Sequence, residues 1–212
     1  MAVRKILKWP SAKLRLKSKP VADFDFAKTL AQDCFDTMKA NLGVGVAAPQ
    51  IGFNSRLLVV DSSHLPSLEP CGTIEGACVI INPVLSPVTD ETFKWEEACL
   101  SVDDIQATVE RHLSINLEYE NLDRERLQVE ITGPESGVIQ HEADHLEGRL
   151  FIDRLPIFER RRVLKKLKRK NAEKLRERKE RNKKRLAEAK KTKIRQSRKK
   201  VKKTFGKNKR RK

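Results

Sequence analysis

Gln140-His141-Glu142-Ala143-Asp144-His145 is the stretch on which the reading of this 212-residue chain turns. If it is helical, residues four apart share one face, so both imidazoles can reach a single metal ion. Glu142 then lies beside that ion, placed to take a proton from water there. The alternative is a charged helix with two surface histidines. Two of the chain's four histidines falling at this spacing, with Glu next to the first, favour the metal.

An HExxH helix usually belongs to a zinc peptidase, so the third ligand decides the class. In the longer pattern HExxHxxGxxH, Gly148 is in place but Phe151 stands where the third histidine belongs. A downstream glutamate would have to be Glu159 or Glu173, both inside a strongly basic segment. Upstream, Glu97-Ala98-Cys99-Leu100-Ser101 sets a cysteine between two strand-like stretches. One thiolate and two imidazoles make three donors and leave a position open for water, the pattern of a catalytic site. The other reading of Cys99 is a buried structural thiol.

Gly43-Val44-Gly45-Val46-Ala47-Ala48-Pro49-Gln50 imitates the dinucleotide fingerprint GxGxxA. That fingerprint needs a strand before it and a helix after it. Here a helical pattern precedes it and Pro49 and Gly52 follow, so the nucleotide reading fails. Closely spaced glycines let backbone approach a ligand, and the Gln50 amide can donate to an oxyanion.

Together, GVGVAAPQ, EACLS and QHEADH resemble the three motifs of the peptide deformylase family, in order, within a resemblance covering roughly residues 5–165. It implies that Cys99, His141 and His145 hold one divalent metal, Fe²⁺ by family habit and replaceable by Zn²⁺, Ni²⁺ or Co²⁺. Glu142 would serve as general base and then general acid, with the Gln50 side chain and the Leu100 backbone N–H holding the formyl oxygen. Val44 and Gly45 would pair with the substrate peptide, and Val44, Val138 and His141 would line a methionine pocket. The implied reaction removes the formyl group from the N-terminal methionine of nascent peptides. The rivals are an idle deformylase-like body serving an RNA-binding tail, and a metal-dependent amidase or deacylase. Ala98, Gln106 and Gly137 depart from the family pattern, as does Asp103-Asp104 after Ser101-Val102; none of these removes a catalytic group.

The charge divides the chain. Residues 1–155 hold 16 Lys and Arg against 24 Asp and Glu, whereas residues 156–212 hold 30 against 5. A catalytic domain over 1–155 and a basic helical extension over 156–212 are expected, the end past Lys190 being disordered when free. Such a tail suits RNA, and residues 158–190 resemble the C-terminal helix that docks bacterial deformylases on ribosomal RNA near the exit tunnel. Only Phe158 and Phe205 are aromatic there, so base stacking is minor, and no continuous apolar face suits a membrane. No apolar run of membrane-spanning length and no signal-peptide pattern occurs. The four cysteines are too few for a disulfide framework, and free thiols in a reducing cytoplasm are expected.

Periodicity predicts a helix from Asp25, as N-cap, to near Gly43, and a second over 135–146. Strands are predicted over 56–61, 78–82 (stopped by Pro83), 112–120 and 127–131, with a hairpin turn at 121–123. The expected class is α+β, mixed or antiparallel strands around the metal-binding helix.

Overall fold

The structure, a computed structural model, describes residues 2–68 and 73–208. The chain divides into two compact units, residues 1–160 and 161–212. The first is α+β, as expected. Helix α1 (Phe24–Ala40) is capped by Asp23, whose carboxylate accepts from the Asp25 and Phe26 N–H groups at 3.1 and 3.0 Å. The cap lies two residues before the predicted one because Phe24 is drawn into the core.

Strands β1 (Gly45–Ala47), β2 (Leu57–Asp61), β3 (Thr73–Ile74), β4 (Ala77–Pro87), β5 (Thr92–Cys99), β6 (Val102–His112), β7 (Ser114–Glu120) and β8 (Arg126–Thr132) precede helix α2 (Gly133–Leu146). They form two antiparallel sheets, one in the order β1-β2-β4-β7-β8 with β3 on β4, the other a β5–β6 hairpin. Alternation explains why β2 and β4 read as unbroken apolar runs. Leu57, Val59, Val79 and Ile81 pack with Leu30, Cys34 and Met38 of α1, while Leu58, Val60 and Ile80 pack with Ile139 and Leu146 of α2. The centre of the large sheet, β2 and the first half of β4, is therefore buried on both faces, with α1 on one and α2 on the other.

Two predicted boundaries move. β4 runs through Pro83, because the β4–β7 register shifts between Ile81 and Val84 and Asn82 turns to φ 51°, so the proline sits in a bulge where no ladder N–H is needed. The stretch predicted as one strand over 112–120 is divided, β6 ending at His112 and β7 starting at Ser114. The expectation for the cysteines is corrected in part. Cys34 and Cys99 are free, but Cys78 is disulfide-bonded, a pairing that spacing alone did not show; Cys71 lies outside the described residues.

Helix α3 runs from Ile157 to Asn208, so the backbone past Lys190 is helical, in keeping with its Lys and Arg content. Among the described residues no helix is long and apolar enough to cross a membrane.

Candidate active site

Helix α2 starts with Pro134 in its first turn, where the ring's fixed φ suits a helix and the missing N–H is no loss. One turn of spacing then places His141 and His145 on a common face, their ring centroids 5.2 Å apart and nearly perpendicular. Phe151 stacks on His141 from the loop after the helix, at 6.1 Å between centroids. Cys99 arrives from the end of β5, where the β5–β6 register breaks between Ala98 and Cys99. Its Sγ lies 3.3 Å from His145 Nε2, and one donor atom from each of Cys99, His141 and His145 falls within 4.8 Å of the others. This donor set, one soft thiolate and two imidazoles, fits a single divalent metal.

Behind the donors stands a buried charge network. His141 Nδ1 donates to Glu97 Oε2 at 2.6 Å, which leaves Nε2 as the ring nitrogen available to a metal. Arg111 Nε and Nη2 donate to the same carboxylate at 2.6 and 2.9 Å, and Arg111 Nη1 donates to Asp144 at 2.6 Å. Arg154 closes the chain of contacts with two bonds to Asp144, at 2.9 and 2.5 Å. Arg111 is fully buried, and its charge is balanced by the two carboxylates on either side.

Glu142 is buried against Gly45. A Cβ at residue 45 would lie 2.7 Å from Glu142 Oε1, so only glycine admits the carboxylate. Its other oxygen, Oε2, has no hydrogen-bond partner among the described residues. Burial raises the Glu142 carboxyl above its ordinary range, against the opposing pull of His141 and His145. Burial also works against ionisation of Cys99, but His145 and His141 outweigh it and hold the thiol well below its ordinary range. For His141 burial pulls downward, and hydrogen bonds to Cys99 and Glu97 hold the imidazole well above its usual value.

Gln50 follows β1 in a single 3-10 turn, Ala48–Ile51. Its Oε1 accepts from the Ala47 N–H at 2.8 Å, which directs Nε2 to Ser101 Oγ at 3.3 Å and Cys99 Sγ at 3.6 Å. Leu100 lies in the turn between β5 and β6, packed so close to Gly43 that a Cβ there would come within 2.9 Å of it. Val44 is partly exposed beside edge strand β1, and Val138 is half-buried against the core under α2. Gly137, one turn before His141, leaves room for the Trp95 indole, whose Nε1 would be 3.2 Å from a Cβ at that position. Ala98 and Gln106 prove to be cross-strand partners, both exposed.

The motifs EACLS and QHEADH contain Glu97 and Asp144, but sequence reasoning assigns them no task and misses Arg111 and Arg154. The available signal was two carboxylates embedded in motifs whose other members face inward.

The model of a family described as polypeptide deformylase matches residues 3–161. A peptide deformylase of Acinetobacter baumannii is 40% identical over 168 residues, covering 79% of this chain and 91% of that protein. One of Novosphingobium aromaticivorans is 38% identical over 181 residues, covering 79% and 96%. Among solved structures, the peptide deformylase of Legionella pneumophila superposes with a TM-score of 0.69 at 36% identity, over 82% of this chain and 99% of that one. That of Thermotoga maritima gives 0.66 at 34% identity, over 74% and 99%.

Proposed function

The chain belongs to the polypeptide deformylase family, whose members hydrolyse the formyl amide on the N-terminal methionine of nascent peptides, and from that premise we propose how its residues divide the work. The single divalent metal is held by Cys99, His141 and His145, and Fe²⁺ is our assignment, with Zn²⁺, Ni²⁺ or Co²⁺ able to replace it. When bound, the ion supplies Lewis acidity and lowers the pKa of water. Glu142 takes the proton of the attacking water on Oε2 and delivers it to the departing amine. The Gln50 amide and the Leu100 N–H hold the carbonyl oxygen as it becomes negative. Val44 and Gly45 add the peptide as a further strand at the β1 edge, and Val44, Val138 and His141 receive the methionine side chain.

The convergence of the unpartnered Glu142 Oε2 with the Cys99, His141 and His145 donors is the observation that carries this reading. Formate release from formyl-Met-Ala-Ser by anaerobically purified, Fe²⁺-loaded protein tests it. Release that vanishes in Glu142→Ala while metal stays bound supports it; no release from folded, metal-loaded protein refutes it.

We further assign residues 1–155 to the catalytic domain, in the cytoplasm, and 156–212 to a ribosome-binding extension. Net positive charge with only two aromatics, Phe158 and Phe205, favours phosphate contacts over base readout. Truncation after Lys170 should weaken ribosome binding and flatten its salt dependence; unchanged binding would refute the tether.

A further inference from the structure

Three successive residues near the N-terminus tie together the two segments that carry the oxyanion donors. Leu7 N–H donates to the Gln50 carbonyl at 2.7 Å, and Trp9 N–H donates to the Ser101 carbonyl at 2.8 Å. Between them the Lys8 ammonium donates to the Leu100 carbonyl at 2.6 Å and to Asp103 Oδ1 at 2.7 Å.

These ties fall where regular structure gives out. Gln50 sits in a single 3-10 turn rather than in a ladder. Leu100 and Ser101 follow the register break at Ala98/Cys99, and Asp104, just beyond, adopts φ 58°. Strand pairing therefore leaves the turn with fewer restraints than its neighbours. A transition-state donor needs more, because stabilising a developing charge depends on donors fixed in advance.

We infer that Lys8 is a positioning residue for the oxyanion hole. Its bond to the Leu100 carbonyl fixes the peptide after Leu100, Trp9 fixes the next one, and the Leu100 N–H is thereby held where the formyl oxygen gains charge. This rests on the deformylase reading above. The Lys8–Asp103 ion pair alone does not account for the arrangement. Both side chains are more than a third exposed, and such pairs contribute little to stability. Asp103 instead helps aim the ammonium at the carbonyl.

Three variants test the inference. Lys8→Met keeps the alkyl stem and removes both bonds, Lys8→Arg restores a cation, and Lys5→Met is a control on an exposed neighbour. For Lys8→Met, kcat for formyl-Met-Ala-Ser should fall about tenfold, with KM, affinity for the product Met-Ala-Ser and metal content each within about twofold. Lys8→Arg should recover most of the loss, and Lys5→Met should behave as wild type. Exchange of the Ser101 amide hydrogen, which belongs to the peptide that Lys8 holds and donates to Cys99 Sγ at 3.4 Å, should accelerate by about tenfold or more in Lys8→Met alone. A kcat for Lys8→Met within about twofold of wild type overturns the inference. So does a parallel fall in kcat, product affinity and metal content, the mark of general loosening. If wild-type protein releases no formate, the deformylase reading fails instead. The exchange measurement then decides for Lys8 alone: acceleration at Ser101 supports its hold on the turn, and unchanged exchange overturns it.

Discussion

At Gly45 a methyl group has nowhere to go, since a Cβ would sit 2.7 Å from Glu142 Oε1 and 2.9 Å from its Cδ. Gly45→Ala should displace the carboxylate and lower kcat by about 100-fold with metal still bound, checked by formate release and metal analysis on one preparation. The paired glycines were legible in the sequence as places of close approach. What approaches them was not, because the neighbours, Glu142 and Leu100, come from distant parts of the chain. His141, His145 and Glu142 could be read because helical spacing alone brings them together. The same limit applies to Gly137, whose missing side chain makes sense only beside Trp95 and Phe93. Gly137→Ile should push the indole aside, changing the tryptophan fluorescence and the KM for formyl-Met substrates. A variant matching wild type in both would show that the space is not shared.

Among the elements, the β5–β6 hairpin has the most to explain. It joins no other strand among the described residues, yet it supplies Cys99, Glu97 and Arg111. An arginine in a strand normally reads as a solvent-facing residue, so nothing local marked Arg111 as buried. Its carboxylate partners lie 14 and 33 residues away in sequence. Arg111→Met should leave Glu97 and Asp144 undercompensated and destabilise the fold by about 3–5 kcal/mol, measured by urea unfolding. A loss below about 1 kcal/mol would mean that His141 and Arg154 suffice to balance the two carboxylates. Pro83 shows the opposite error. A residue rule correctly flagged a missing donor, but β4 absorbs it in a bulge instead of ending.

For the molecule as a whole, the α+β class and the charge division followed from apolar alternation and composition, which depend on no distant contact. The charge network, the Cys78 disulfide and the N-terminal ties depend on such contacts and were not legible. Stability in acid has a similarly distributed origin. Burial works to raise the Asp153 carboxyl, but Arg15, the Leu150 N–H and Arg160 hold it below the ordinary carboxylate range. Its contribution is therefore complete above that range and lost as pH falls through the lowered value. Asp153→Asn should lower Tm at neutral pH, with the gap to wild type closing in acid; a gap independent of pH would contradict this. The proposed ligand set also bears on chain topology. Cys99 and His145 are 46 residues apart, so an ion gripping both closes a ring through the chain, as a covalent cross-link would. By loop-entropy arithmetic such a closure is worth about 4 kcal/mol. Chelation should therefore free the β5–β6 amides to exchange well before those of β2 and β4, giving a protein that frays from its catalytic hairpin while its central sheet stays shut.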